Sequence, residues 1–339
     1  MKKFLKVSLL ALLAAMAMAL LVACGGSGNG DEAKVSDEQG GYAEAEPDFT
    51  ASNIAVTYVL SPLNVPSIVE RERGIFEAAF AEFDLPVEYS TLTAGPDQTA
   101  ALASGDIHFL FNVGGVSVIQ AAAGGLDIRI ISMYNSSPEV FNLFTKDDSI
   151  QSAEDLEGRT VAGPPGTVLH QMLVAYLNTA GLSMDDIDFH PMGIPEAAAA
   201  LEGGAVDMAL LAGPAAFNAE QDGARVVTNG EGLIEGTSVV ATSESFYQEN
   251  RVLVQRFLEA QNEILEFIDA NLEESLEMTA EETGLPLEGV EAMYPLYDFR
   301  MEILDSDIAA LEETMQFMLD TEMIDEPVDI RSLILDVQN

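Results

Sequence analysis

Two stretches of equal length decide the fold: "ALASGDIHFLFNVGGVSVIQAAAGG" at residues 101–125 and "ALEGGAVDMALLAGPAAFNAEQDGA" at residues 200–224. Aligned without a gap, Ala101 meets Ala200 and Leu102 meets Leu201. Gly105, Gly114 and Gly124 meet Gly204, Gly213 and Gly223. Each copy reads as helix, turn, buried strand, glycine loop, helix. A further apolar strand follows each, "IRIIS" at 128–132 and "RVVT" at 225–228. Self-similarity at a fixed offset marks repeated architecture. Alternation of helix and strand argues for an α/β chain with parallel sheets. Two similar halves imply a cleft between them. Ligands of open α/β sheets sit beyond the carboxyl ends of the strands, which places loops 61–66, 112–116, 163–167 and 212–215 around that cleft.

Working outward, "NIAVTYVL" (53–60) and "VEYSTL" (87–92) read as strands. "PSIVERERGIFEAAFAEF" (66–83) reads as one helix, with Pro66 in the first turn and Ser67 and Glu70 spaced as a capping box. "DQTAALASG" (97–105) is a helix ending at glycine, and "IHFLFN" (107–112) is a strand. Leu253, Phe257, Ala260, Ile264 and Phe267 form an amphipathic stripe over 251–271, and residues 306–324 form another helix. Segments 133–138 and 229–243 read as two crossovers between lobes. The expected division is 52–133 with 238–339 as one lobe and 134–237 as the other.

Residues 1–23 have a signal-peptide layout: Lys2, Lys3 and Lys6, then an uncharged Leu/Ala run. Leu21-Val22-Ala23-Cys24 resembles a bacterial lipobox. Cleavage after Ala23 leaves Cys24, the single cysteine of the chain, as the lipidated first residue. Residues 24–51 are rich in Gly and acidic residues and read as a tether. The 339-residue chain is 48% hydrophobic, enough for two lobes of ordinary size. Its 57 acidic against 14 basic residues give a formal charge of −43, a field that repels nucleic acid.

The runs "SIQSAEDLEGRTVAGPPG" and "TAGLSMDDI" carry a resemblance. Ser152, Asp155, Leu156, Gly158, Arg159, Val161 and Ala162 form one element, and Ala180 to Ile187 the other. With the two repeat copies, they make residues 52–335 resemble bacterial substrate-binding proteins of ABC importers, of the nitrate/sulfonate/taurine/thiamine-precursor group. The resemblance implies a two-lobed periplasmic-binding-protein fold, type II-like, with two hinge crossovers. It implies an extracytoplasmic protein that binds a small organic molecule, docks on ABC permease subunits and needs no cofactor. One departure stands out. Sulfonate and taurine binders often carry a Trp-Asp-Pro-type element in the second lobe's glycine loop, whereas this loop is "LAGPAAF" (211–217) in a chain without Trp. That argues against a sulfonate-type ligand. A ligand-sensing lipoprotein is an alternative, as is an enzyme of the related thiamine-pyrimidine or menaquinone-synthesis fold.

The candidate ligand residues follow from the loops. Gly166 and Thr167 open a helix whose first N–H groups attract polar acceptors, with His170 one turn on. Asn112, Gly114 and Gly115 open the matching helix, Gly213 and Pro214 its repeat partner, and Ser61 and Asn64 follow the first strand. Tyr134, with Tyr58 and Phe217, is an aromatic candidate. His108, His170 and His190 lack metal-type spacing, and no Cys cluster or G-x-S-x-G elbow occurs. No metal and no catalytic residue is expected. Arg71, Arg73 and Arg159 fall on helices or strands, so an anion would rely on helix N-termini. A neutral, zwitterionic or heteroaromatic ligand meets less resistance.

Overall fold

A computed structural model describes residues 49–60 and 63–337. The signal segment, Cys24, the tether up to residue 48 and Ser61 lie outside the described residues. Among the described residues no helix is long and apolar enough to cross a membrane.

Strands β1 (Ile54–Tyr58) and β2 (Val87–Thr91) pair in parallel. Helices α1 (Val65–Arg73) and α2 (Ile75–Phe80) connect them. The single helix expected over 66–83 is broken by Gly74, which adopts φ +62° and caps α1 with its N–H on the Glu70 carbonyl. The expected capping box does not form. The helix begins at Val65, ahead of Ser67, with Pro66 in its first turn. Ser67 is therefore interior and contacts the Tyr134 hydroxyl at 3.0 Å, while Glu70 is buried.

Next come α3 (Gly95–Ser104), β3 (Leu110–Gly114), α4 (Gly115–Ala123) and β4 (Arg129–Ser136). The second half runs β5 (Phe141–Thr145), β6 (Thr160–Gly163), α5 (Val168–Thr179), β7 (Asp188–Pro191), α6 (Ile194–Glu202), β8 (Met208–Ala212), α7 (Gly213–Gln221) and β9 (Arg225–Asn229). The chain returns through β10 (Thr237–Thr242) to α8 (Glu244–Glu249), α9 (Arg251–Ala270), α10 (Leu272–Thr283), α11 (Leu287–Met293), β11 (Asp298–Phe299), α12 (Asp305–Asp320) and α13 (Ile330–Leu333).

One sheet has the order β11-β4-β10-β3, and a parallel bridge from Val56 to Phe109 brings the β1–β2 pair alongside β3. The other has the order β7-β6-β8-β5-β9. Read from the parallel end, β2, β1, β3, β10 and β4 correspond in order to β7, β6, β8, β5 and β9. The internal repeat is thus a repeat of topology, with β3 and α4 matching β8 and α7. The sheets are mixed rather than parallel throughout, because β10 and β5 run antiparallel to both neighbours. Each enters its sheet directly from the other sheet, without the crossover helix that a parallel return requires.

Leu253, Phe257, Ala260 and Ile264 of α9 are buried as the stripe predicts. Phe257 stacks on Phe109 with centroids 4.0 Å apart and on Phe76 at 4.5 Å. Phe267 instead lies at the edge, beneath the Arg73 guanidinium at 4.7 Å from the ring centre. The two passages between sheets run side by side. Ser137 N–H donates to the Gly236 carbonyl at 3.2 Å, and Gly230 N–H donates to the Phe141 carbonyl at 3.1 Å.

Candidate functional site

A cavity of ≈350 Å³ lies where the two sheets face each other. Its walls come from both halves: Leu92, Gln98, Asn112 and Ser117 from the first, Phe141, Thr167 and Glu196 from the second. Five helices of nine or more residues start at its edge. Gly95, Gly114, Thr167, Gly193 and Ala212 line it, and each is the cap or first residue of α3, α4, α5, α6 or α7. Helix starts carry amides with no partner inside the helix and a partial positive charge. The arrangement follows from the repeat: in each half, strands deliver their carboxyl ends to one side and the following helices begin there.

Thr167 is built as the sequence suggests. It caps α5, its Oγ1 accepting from His170 N–H at 3.4 Å and donating to the Pro164 carbonyl at 2.9 Å. Asn112 and Gly114 also line the cavity. Asn112 sits at φ +80°, a conformation that Asn tolerates better than most residues. Its side-chain N–H donates to Asn64 Oδ1, and Asn64 Nδ2 donates in turn to the Val59 carbonyl at 2.7 Å. Fully buried Asn64 therefore ties the end of β3 to the segment after β1 from beneath the cavity.

Other expected residues stand behind the walls. Gly166, at φ +66°, permits close approach, but of protein to protein: a Cβ there would lie 2.9 Å from Gln120 Oε1 and 3.2 Å from Pro96 Cγ. Its carbonyl accepts from Ser117 Oγ at 2.9 Å, linking the halves. Its N–H donates to His170 Nδ1 at 3.2 Å, and the His170 ring stacks on Phe189. Burial lowers the His170 pKa, consistent with a neutral acceptor that locks the turn. Gly115 packs against Leu311, where a Cβ would come within 2.7 Å. Gly213 and Pro214 form the first turn of α7, behind Ala212. Tyr134 is buried against Phe111 and Phe299 and contacts Ser67, so it supports the hinge strand β4 rather than facing the cavity. Tyr58 donates to Glu282 at 2.9 Å under the Arg71 guanidinium, and Phe217 wedges against Gly289.

Gln98, Ser117, Phe141 and Glu196 were not legible as site residues. The first two lie just inside the starts of α3 and α4, one to a few residues past the loop positions that the strand-end rule marks. The last two depend on which neighbouring element the chain packs against. The arginines are engaged elsewhere, Arg159 with Asp147 at 3.2 Å and Arg300 with Asp298 at 2.8 Å and with Asp307. Among the described residues no Lys, Arg, His or Cys lines the cavity, and no cluster of residues suited to a metal is present.

Compared with known proteins, residues 64–275 match the family described as NMT1/THI5 like. The chain belongs to that family. It is 27% identical over 322 residues to a Bacillus subtilis (strain 168) protein provisionally named as aliphatic sulfonates-binding, covering 93% of this chain and 91% of the relative. The alkanesulfonate-binding protein SsuA from Xanthomonas axonopodis pv. citri, solved bound to MOPS, is similar in fold with a TM-score of 0.76 and 21% identity, over 84% of this chain and 98% of that one. The desulfurization enzyme DSZB is similar at a TM-score of 0.61 and 18% identity, over 84% of this chain and 96% of that one. The periplasmic-binding-protein fold expected from the resemblance is therefore the fold of this NMT1/THI5-like chain.

Proposed function

We propose that this protein is the solute-binding component of an ABC importer, working outside the cytoplasmic membrane. The observation that carries the reading is the meeting of five helix starts from two matched halves in one cavity of ≈350 Å³. That volume suits a small organic molecule, and the amides supply hydrogen-bond donors without basic side chains. The names of the relatives point the same way. Asn112, Gly114 and Thr167 contact the ligand, and Asn64, Gly115, Tyr134, Gly166, His170, Gly213 and Pro214 hold these elements in place; Ser61 remains a ligand candidate from its place in the sequence alone. Residues 52–133 with 238–339 move as one lobe and 134–237 as the other. Hinge closure at the paired passages traps the solute and presents the closed form to the permease. Cys24 carries the lipid that holds the protein at the membrane. The protein binds rather than transforms its ligand, as the names of its relatives suggest; among the described residues the cavity offers amides, hydroxyls and the carboxylates of Asp97 and Glu196.

A thermal-shift screen of small sulfonates, pyrimidines, amines and vitamins tests the reading, because a ligand of the folded state raises the melting temperature. A hit should also shrink the radius of gyration in scattering. Thr167→Ala should weaken that hit several-fold and lower the melting temperature only by the loss of one cap, ~1 kcal/mol. Unchanged affinity removes Thr167 from the site. Cys24→Ser should release the protein from the membrane fraction; retention there refutes the anchor.

A further inference from the structure

The cavity is polarised. Helices α4, α5 and α7 have no acidic residue in their first turns, whereas α3 carries Asp97 and α6 carries Glu196, and both carboxylate residues line the cavity. A Cβ on Gly193 would meet Glu196 Oε2 at 2.6 Å, so the Glu196 carboxylate folds back over the start of its own helix. The α6 terminus is thereby screened from an incoming anion. Beside Asp97 stands Gln98, 2% exposed and lining the same cavity. Its Nε2 donates to the Leu92 carbonyl at 3.1 Å. Its Oε1 is buried and has no hydrogen-bond partner among the described residues. The reversed amide would set two acceptors against each other at Leu92, so the orientation is fixed by chemistry. A buried acceptor without a partner costs free energy, and a donor on the ligand that reaches it as the lobes close around the solute removes that cost.

We infer that Gln98 is a specificity-determining residue whose Oε1 accepts a hydrogen bond from an N–H or O–H group of the solute, so that the cleft selects bipolar ligands. The acceptor end of such a solute lies at the bare starts of α4, α5 and α7, and its donor end lies toward Gln98, Asp97 and Glu196. A solute with an anionic head and a purely apolar tail leaves Gln98 Oε1 unpaired and sets its methyl end against two carboxylates. Selection against such a solute follows from the same atoms that favour the bipolar one. The inference rests on the solute-binding reading above and adds to it the residue that reads the ligand's second pole.

Matched probes test it by calorimetry on the purified protein: 2-aminoethanesulfonate against propane-1-sulfonate, and 3-aminopropanoate against butanoate. Within each pair an ammonium replaces a methyl group of similar size. At least one donor-bearing probe should bind ~10-fold or more tightly than its methyl partner, since the partner strands a buried acceptor. Gln98→Met should abolish that preference, so that the two members of the pair bind alike. Equal binding within both pairs, or a preference that survives Gln98→Met, overturns the assignment. The wild-type comparison decides alone if the variant does not fold. If none of the four probes binds but another solute from the wider screen does, the bipolar class is refuted and the solute-binding reading stands. If nothing binds in either experiment, both fall.

Discussion

At the scale of single residues, the motifs that carry the family resemblance are devices of folding. Ser152 and Asp155 form a capping box, as do Ser183 and Asp186. Gly158 and Gly181 take φ +72° and +73° in the turns beside them. These positions identify the family because they set how strands β6 and β7 are entered, and none of them lines the cavity. Glu70 is a different case. It is 1% exposed in α1, its Oε1 accepting from Phe76 N–H at 3.2 Å and lying 2.7 Å from the Tyr89 hydroxyl, which also lies 2.9 Å from Glu77 Oε2. The phenol has one hydrogen for two carboxyl groups, so a proton on Glu70 fits the geometry. Burial pushes the Glu70 pKa up from 4.5 to about 8, with Glu77 adding to it and Tyr89, Phe76 and Arg71 opposing. A raised carboxyl pKa contributes stability that is complete below about 4.5 and drains away as pH rises to about 8. Glu70→Gln keeps an acceptor and removes the titration. The variant should match the wild type near pH 4.5 and exceed it above pH 8 by on the order of 3 kcal/mol, read from urea unfolding across pH. A constant difference at all pH values would show that Glu70 is charged in the fold.

At the scale of elements, the repeat, the helix stripes and the strand-end loops were legible because each leaves a local periodic or glycine signal. What the sequence concealed depends on long-range packing. The break at Gly74 looks like any helix glycine until α2 is seen turning onto α9. The antiparallel placement of β5 and β10 is decided by where the chain crosses between sheets. Thr167 was readable as a cap, while Phe141 and Glu196 acquire a role only when the second sheet faces the first. The crossings themselves explain two glycines. A Cβ on Gly230 would lie 2.4 Å from the Pro138 carbonyl oxygen, and one on Gly236, at φ +62°, would lie 2.7 Å from Pro138 N. The two passages can touch only if both positions lack a side chain. Gly236→Ala adds left-handed strain, ~1–2 kcal/mol, to a backbone clash, and should lower the melting temperature by several degrees. Because it wedges the passages apart, it should also weaken whatever solute compacts the wild type. A variant equally stable and equally closed would show that the crossings have room to separate.

At the scale of the whole molecule, charge is the dominant unbalanced term. The sequence carries a formal −43, and the ion pairs of the described residues are mostly at the surface, where each contributes little. Arg256 illustrates the shortage of cations: a single guanidinium lies within 4.0 Å of Glu82, Glu259 and Glu263. Repulsion among the remaining carboxylates favours expansion, and it acts between the lobes as well as within them. Salt screens exposed charges over a Debye length of ~10 Å at 0.1 M and ~3 Å at 1 M. Screening therefore removes a cost of compaction larger than the gain it takes from surface pairs. Raising NaCl from 10 mM to 500 mM should increase the melting temperature and reduce the radius of gyration of the ligand-free body, with potassium chloride giving the same result. It should also tighten binding of a bipolar solute, because closure brings two acidic lobes together while the ligand itself adds no net charge. A simple anion would gain more from the same salt, since its own repulsion from the protein is screened too. A melting temperature that falls with salt would mean that the paired charges, few as they are, outweigh the unpaired ones.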